Sequence, residues 1–307
     1  MGGLGNQMFC YAAARRLAHH VGTELKLDLS DYRRGSDRRP KGLEAFSRKF
    51  TLDDFDITAS EATECEIAVL RDRFVTFSAL DRLVRLVRRI YPKFLWSKSH
   101  FRERSYRFDE RILRLGDNCY LSGFWQSEKY FADAEVIIRQ EFTPRDSRVA
   151  EYAESYLANL RRGHSSDVVS VHIRRGDLAY ANERLSNPSL VYGPPVSLDY
   201  IHTALDRFDS SCRFLVFSDS ASDLQWCKEN ISREGLIFSE NHSEVQDFAL
   251  MSACDHHIIS NSTYGWWAAW LNPSPTKRVI APRNWFASSQ RADLVIDDLI
   301  PPGWEII

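Results

Sequence analysis

The second half of the chain alternates short apolar runs with segments of helical periodicity. The apolar runs, read as strands, are residues 167–173, 213–219, 235–239 and 256–260. The segments read as helices are residues 198–208, 224–230, 245–253 and 265–271. Regular alternation of this kind predicts a parallel sheet with helices on both faces.

The first half opens on a glycine-rich loop. An apolar stripe at helical spacing follows over residues 8–21, and an alternating strand comes next at residues 23–29. This order is typical of half a βαβ unit whose first strand is missing. A helix over residues 147–162 ends in a polar turn. We therefore predict an α/β protein with two Rossmann-like domains that face a cleft, at residues 1–162 and 163–307.

The stretch from residue 71 to residue 114 differs from its surroundings in charge, with thirteen Lys or Arg against five acidic residues. Within it, an apolar stripe at helical spacing is flanked by arginines. The stripe consists of Leu80, Leu83, Val84, Val87 and Ile90. Two interpretations stay open: a basic amphipathic helix on an anionic membrane, or a helix packed on its own domain with a solvated basic face.

Composition limits the class of protein to which the chain can belong. The chain has 307 residues, 44% of them hydrophobic and 27% charged, which is typical of a globular protein of two domains. A formal net charge of −2 argues against a nucleic-acid binder. The six dispersed cysteines form no CxxC pair, and we expect neither a signal sequence nor a membrane-crossing segment. We expect reduced thiols and a cytoplasmic location.

Polar side chains follow three predicted strands, at the sheet edge where α/β proteins bind ligands. His172, Arg174, Arg175 and Asp177 follow the first strand of the second half. Adjacent guanidinium groups suit phosphate oxygens and the charge that grows on a leaving group. The alternative is structural, with one arginine as the ion-pair partner of Asp177.

Two further strand ends carry candidate groups. Asp219 could accept hydrogen bonds from a ribose or a base, or could cap the next helix. Ser262, Thr263 and Tyr264 open a predicted helix, where hydroxyl and amide groups favour phosphate. Capping by these hydroxyls is compatible with that role.

Dinucleotide and metal chemistry have weaker support. Gly3 and Gly5 resemble part of a dinucleotide-binding fingerprint, in which Asp28 would be the acidic residue that binds the ribose. The third glycine of that fingerprint is missing. Asp54 and Asp56 resemble a metal-binding acidic pair, yet no strand leads into them. His256 and His257 are adjacent in a predicted strand, so their side chains should point to opposite faces and cannot share one ion.

Together the motifs resemble those of inverting α-1,2-fucosyltransferases of glycosyltransferase family eleven. The similar segments are GGLGNQMF at residues 2–9, LSGFWQSEKYF at 121–131, VSVHIRRGD at 169–177, SLDY at 197–200, VFSD at 216–219, WCKENI at 226–231 and DFALMSACDHHIISNSTYGWWAAWLN at 247–272. The resemblance implies a GT-B fold. It also implies transfer of L-fucose from GDP-β-L-fucose to O2 of a terminal galactose, without a metal or another cofactor.

The resemblance also implies roles for individual residues. Arg174 would hold the β-phosphate and neutralise departing GDP. Asn6 would face the donor from the opposite domain, and these two form the catalytic set. The implied donor-binding set consists of His172, Arg175, Asp177, Asp219, Asp247 (which would read guanine), Ser262, Thr263 and Tyr264. Asp177 and Glu183 are candidates for the general base.

Family members usually carry a hydrophobic strand before the glycine segment, which opens this sequence. We therefore expect either that the first sheet lacks a central strand or that the start is truncated. Tyr192 precedes Gly193 where the family often has histidine, which leaves the acceptor side open. The rival functions are a fucosyltransferase of another linkage and a non-catalytic protein that binds a sugar nucleotide or a glycan.

Overall fold

The computed structural model describes residues 2–33, 49–71, 99–162, 167–176, 178–179, 193–287, 294 and 296–307. Its helices are α1 (Leu4–Val21), α2 (Ser30–Arg33), α3 (Glu64–Leu70), α4 (Glu135–Glu141), α5 (Ser147–Arg161), α6 (Leu198–Leu205), α7 (Ala221–Asn230), α8 (Glu244–Ser252) and α9 (Thr263–Leu271). Its strands are β1 (Lys26–Leu27), β2 (Ser60–Glu61), β3 (His100–Arg102), β4 (Tyr120–Ser122), β5 (Val168–Ile173), β6 (Arg213–Ser218), β7 (Leu236–Phe238), β8 (His256–Ile258), β9 (Val279–Ala281) and β10 (Glu305–Ile306).

The second half forms a six-stranded sheet in the order β10-β9-β8-β5-β6-β7. Every neighbouring pair in it is parallel. The predicted α/β class with a parallel sheet is confirmed. Strands β9 and β10 were not predicted.

Side chains of β6 alternate between two apolar layers on opposite faces of this sheet. Phe214 and Val216 pack in the layer that α6 and α7 cover. Leu215 and Phe217 pack in the larger layer, with α8 and α9. Because both faces are covered, the central strand β5 is buried along its whole length.

The described part of the first half contains two small parallel sheets, β1 with β2 and β3 with β4. Residues of β1, β4 and α1 line a cavity of about 740 Å³. Strand β1 is shorter than the predicted strand at residues 23–29. The basic apolar stripe at residues 80–90 lies outside the described residues.

Helix α1 includes the glycine-rich segment that the sequence analysis placed in a loop, so that prediction was wrong. The helix begins at Leu4, with Gly3 as its N-cap residue, and ends at Gly22 in the left-handed conformation. Gly5 therefore lies in the first turn, where it meets the start of α9. A Cβ atom at Gly5 would lie 2.3 Å from the backbone carbon of Thr263. Only glycine allows this approach.

Aromatic packing extends the same contact along α1. The Phe9 ring centroid lies 4.5 Å from that of Trp266 and 4.9 Å from that of Trp267. Phe131 stacks on the same Trp267 ring, with 5.1 Å between the centroids. These rings are fully buried, and they join the first half of the chain to α9.

Among the described residues, no helix combines the length and the apolar character that crossing a bilayer requires. All six cysteines are free thiols. Cys10, Cys227 and Cys254 lie in apolar surroundings, where burial raises the pKa of each thiol. They are packing residues rather than reactive groups.

The contact between α1 and α9 predicts the effect of Gly5→Ala. The added methyl group meets backbone atoms of Thr263, which cannot rotate away, so we expect a loss of about 1–3 kcal/mol in the free energy of unfolding. Denaturant titration followed by tryptophan fluorescence measures it. Gly116→Ala is the control, because a Cβ there meets nothing within 4 Å. Equal stability of both variants would contradict the contact.

Candidate functional site

His172 lies near the carboxyl end of β5, with its ring on the face that α9 covers. Its Nδ1 atom lies 3.1 Å from Ser260 Oγ, and its ring centroid lies 5.5 Å from that of Tyr264. Burial, reinforced by the nearby charge of Arg174, lowers the pKa of His172 to about 3. The imidazole is therefore neutral at physiological pH and contributes hydrogen bonding and shape rather than charge.

The two arginines that follow β5 have different surroundings. Arg174 is half-buried and close enough to His172 to act on its ionisation. The Arg175 guanidinium lies 3.7 Å from the ring centroid of Trp226, with Asp223 Oδ1 3.9 Å from its Nε. Arg175 is thus held by α7 through a cation–π contact and a long ion pair.

Asp219 follows β6 and faces the turn after β5. Its Oδ2 atom accepts a hydrogen bond of 3.1 Å from the backbone N–H of Arg175. A Cβ at Gly176, which has a φ of 22°, would lie 2.9 Å from the same oxygen. The expected alternative, Asp219 as a helix cap, was wrong. Ser220 caps α7 instead, by accepting from the backbone N–H of Asp223.

The start of α9 brings the hydroxyl cluster to the same edge of the sheet. Ser262 occupies the N-cap position, but its side chain makes no capping hydrogen bond. The hydroxyl of Tyr264 donates to the carbonyl of Glu244 at 2.6 Å, so this group serves the contact with α8. The first N–H groups of a helix have no partner inside the helix, and they favour an anion.

Asn6 reaches this edge from the first half. It follows Gly5 in the first turn of α1, directly beside the backbone of Thr263. Its Oδ1 atom accepts a hydrogen bond of 2.8 Å from Gln126 Nε2. Because Gln126 orients the carboxamide of Asn6 through its oxygen, the amide nitrogen can donate to a ligand.

Asp247 lies in the first turn of α8. Its Oδ1 atom accepts a 2.5 Å hydrogen bond from Ser239 Oγ and lies 3.2 Å from His242 Nδ1. Burial raises the pKa of Asp247, although the hydrogen bond from Ser239 and the neighbouring His242 oppose that effect. Asp247 is therefore a carboxylate held in partly dry surroundings, as expected of a group that recognises polar hydrogens.

Tyr264 connects these groups. Its ring packs on His172 and, at 5.2 Å between centroids, on Phe248. Burial, with the carboxylates of Asp247 and Asp219 nearby, raises the pKa of Tyr264 well above its ordinary value. The contacts above connect His172, Arg174, Arg175, Asp219, Asp247 and Tyr264, and they place Asn6 one residue from the contact of Gly5 with Thr263. Asp177 lies outside the described residues, together with Glu183.

Residues of the rejected dinucleotide and metal sites are occupied otherwise. Asp28 Oδ2 accepts from Tyr120 at 2.7 Å and from Arg71 at 3.0 Å, so Asp28 ties β1 to β4. His256 pairs with Asp167, whereas His257 contacts Ser170 and Asn272. The prediction that the two histidines point to opposite faces is confirmed. The described residues contain no cluster of three metal-ligating side chains.

Sequence reasoning missed the residues that hold the site residues in place. These are Ser239, His242, Gln126 and Ser260, together with Tyr152 on α5. Gln126 and Ser260 lie in segments that resemble the family but were given no role, whereas Ser239, His242 and Tyr152 lie outside those segments. Each becomes visible only through its contacts in the folded protein. Ser239, the last residue of the predicted strand at 235–239, was the one available signal.

The family model described as Glycosyl transferase family 11 matches residues 91–307. The match covers the whole second half and residues 91–162 of the first half, but not α1. It contains every segment that resembles the family except GGLGNQMF at residues 2–9.

Individual relatives extend the likeness over almost the whole chain. An alpha-1,2-colitosyltransferase of Escherichia coli is 31% identical, over 99% of this chain and 95% of the relative. The O-antigen biosynthesis glycosyltransferase WbnK of the same species is 29% identical, over 97% of each chain. A galactoside alpha-(1,2)-fucosyltransferase 1 of Leontocebus fuscicollis is 36% identical, but over 53% of this chain and 46% of the relative.

The raised pKa of Asp247 predicts that the ionised carboxylate lowers the free energy of unfolding. The unfolded carboxyl ionises near pH 4, whereas the folded one resists ionisation, so the native protein loses relative stability as the pH rises above about 4. Asp247→Asn removes the buried charge. We expect its unfolding midpoint to exceed that of the wild type, by a margin that grows from pH 4 to pH 7. Thermal unfolding at a series of pH values measures this margin.

Glu244→Gln is the matched control, because Glu244 lies in the same helical turn but is exposed. Its midpoint should stay close to that of the wild type at every pH. If Asp247→Asn is less stable than the wild type throughout the range, the carboxylate is a net stabilising group, and this interpretation of its surroundings is wrong.

Proposed function

This chain belongs to glycosyltransferase family 11, and we propose that it transfers L-fucose from GDP-β-L-fucose to O2 of a terminal galactose, with inversion to an α-1,2 linkage. One observation supports this proposal above the others. The end of β5, with Arg174, and the start of α9 converge with the first turn of α1, which carries Asn6. Under this proposal, cationic, amide and carboxamide donors from both halves face one site.

The proposed mechanism places the departing diphosphate at these donors. Cleavage of the fucosyl bond develops positive charge on the sugar and negative charge on the β-phosphate. The Arg174 guanidinium and the first N–H groups of α9 are set in advance to stabilise the latter charge. Arg175, anchored on Trp226, would add positive charge to the site. His172 is neutral, and it would contribute hydrogen bonding and shape at the edge of the site.

The remaining donor contacts are proposed on the same basis. Asp247 would accept hydrogen bonds from N1–H and the amino group of guanine. Ser262 and Thr263 would contact phosphate together with the backbone N–H of Tyr264. Asp219 would fix the turn that presents Arg174, through its bond to the Arg175 backbone.

We propose that no divalent cation takes part, since the positive groups suffice to neutralise the diphosphate. Transfer measured after chelation with EDTA should then equal transfer with added Mg²⁺ or Mn²⁺. The general base stays a prediction, with Asp177 and Glu183 as the candidates.

A second donor sugar has specific support. A relative similar over nearly the full length is an alpha-1,2-colitosyltransferase, so GDP-colitose is the alternative donor. Incubation with each donor and a panel of galactose-ended oligosaccharides, followed by mass spectrometry and linkage analysis, tests both. An α-1,2-fucosylated product supports the proposal. Another linkage, another sugar or binding without turnover would select a rival function.

We also propose a role in the synthesis of a surface polysaccharide, which the O-antigen relative supports. The basic stretch at residues 71–114 would place the enzyme at the cytoplasmic face of a membrane, near lipid-linked acceptors. Flotation with anionic vesicles, but not with neutral ones, is the expected result. Equal flotation with both would dismiss the membrane contact.

Arg174→Ala tests the proposed mechanism. The variant loses a donor set in advance against the leaving diphosphate, so we expect kcat for fucose transfer to fall at least about a hundredfold. Arg174→Lys should recover only part of the loss, because an ammonium group lacks the planar donor fork. Initial rates at saturating donor and acceptor measure both effects.

Arg148→Ala is the control for the loss of a cation. The Arg148 side chain is 85% exposed, and it pairs with Asp146 on the surface. Its kcat should stay within about twofold of the wild type. Near-full activity of Arg174→Ala would refute the role assigned to Arg174.

A further inference from the structure

The carboxylate of Asp247 is fixed through one of its two oxygens. Ser239 Oγ donates to Asp247 Oδ1, and His242 Nδ1 lies 2.7 Å from that hydroxyl and 3.2 Å from the same carboxylate oxygen. The hydroxyl has a single proton, which it gives to Asp247. His242 Nδ1 must therefore carry a proton and donate to this pair.

The opposite nitrogen of His242 is held by the first half of the chain. Its Nε2 atom lies 2.7 Å from the hydroxyl of Tyr152, which belongs to α5. The His242 ring also packs edge-on against the rings of Tyr152 and Tyr156, with centroids 5.5 and 5.6 Å away. The His242 side chain is only 8% exposed, so this arrangement fixes both the position and the plane of the ring.

The other oxygen of Asp247, Oδ2, makes no hydrogen bond within the described part of the chain. The Asp247 side chain keeps 22% of its surface exposed, so a ligand can reach it. With Oδ1 held by Ser239 and His242, the carboxylate cannot rotate freely. It therefore presents a fixed acceptor edge, whose direction depends on the His242 ring.

We propose that His242, held by Tyr152, is a positioning residue that aims Asp247 at the base of the donor nucleotide and thereby sets the preference for guanine. This inference rests on the proposed function, since it assumes that the site holds GDP. Guanine presents N–H donors to such a carboxylate, whereas adenine presents an acceptor nitrogen at the corresponding position. If the carboxylate points in another direction, the protein binds GDP less tightly and discriminates less well between guanine and adenine.

The same chain of contacts joins base recognition to the first half. Tyr152 lies on α5, so the orientation of Asp247 depends on how α5 packs against α8. Tyr264, at the start of α9, bonds to α8 through the carbonyl of Glu244 and not through the carboxylate of Asp247. The proposal therefore predicts an effect on nucleotide binding, with little effect on the chemical step once the donor is bound.

Three variants test the proposal by calorimetric titration with GDP and ADP and by steady-state kinetics. His242→Leu removes both ring nitrogens, and we expect Kd for GDP and KM for the donor to rise at least about tenfold, with kcat within about twofold of the wild type. The ratio of ADP to GDP dissociation constants should fall. His242→Asn can replace the Nδ1 donor, and it should keep Kd for GDP within about threefold. Tyr152→Phe should raise Kd for GDP by about threefold.

His256→Leu is the matched control. His256 also pairs with an aspartate at 3.2 Å, but it lies at the amino end of β8, away from the site. Its Kd for GDP should equal that of the wild type. Thermal unfolding shows whether each variant is folded, and Tyr152→Phe, which keeps the ring, carries the test if His242→Leu does not fold.

The outcomes separate this inference from the proposed function. If the wild type binds no GDP, the proposed function fails. If the wild type binds GDP, and His242→Leu and Tyr152→Phe bind it equally well with the same preference over ADP, the positioning role is wrong. Equal losses in His242→Leu and His242→Asn would also overturn it, because the Nδ1 donor would then not matter.

Discussion

The contact between Gly5 and the backbone of Thr263 is the constraint on which the site depends. A side chain at position 5 would force α1 away from α9, and Asn6 would move with it. The aromatic rings of Phe9, Trp266 and Trp267 continue this contact into a shared core, which resists small adjustments because interiors are close-packed. One glycine thus fixes the distance between the carboxamide from the first half and the helix start from the second.

Polar side chains buried beneath the site form hydrogen bonds with one another. On the face of β5 toward α9, Ser170 meets His257 and His172 meets Ser260. Burial lowers the pKa of each of these histidines to about 3, so both stay neutral and add no charge to the core. Positive charge is instead concentrated at the strand end, where Arg174 follows His172. The proposed anion would therefore bind beside neutral histidines rather than beside charged ones.

The sequence was sufficient for the central strands and most helices of the second half, because β5 and β6 coincide with apolar runs and the helices between the strands show helical periodicity. It failed at the glycine segment, because glycines usually mark a loop. Here Gly5 is helical for a tertiary reason, the approach of Thr263, which no local pattern shows. Likewise, motifs identified Asp247 but not His242 or Tyr152, since the contacts that join them are set by the packing of α5 on α8.

The account requires that one nucleotide contact groups on three separate elements: the end of β5, the start of α9 and the first turn of α8. A crystal structure of the protein with GDP measures this directly. We predict the diphosphate within hydrogen-bond distance of Arg174 and of the backbone amides at Thr263 and Tyr264, with the guanine edge on Asp247. GDP bound elsewhere, such as in the cavity between β1 and β4, with Arg174 and Asp247 untouched, would contradict the account.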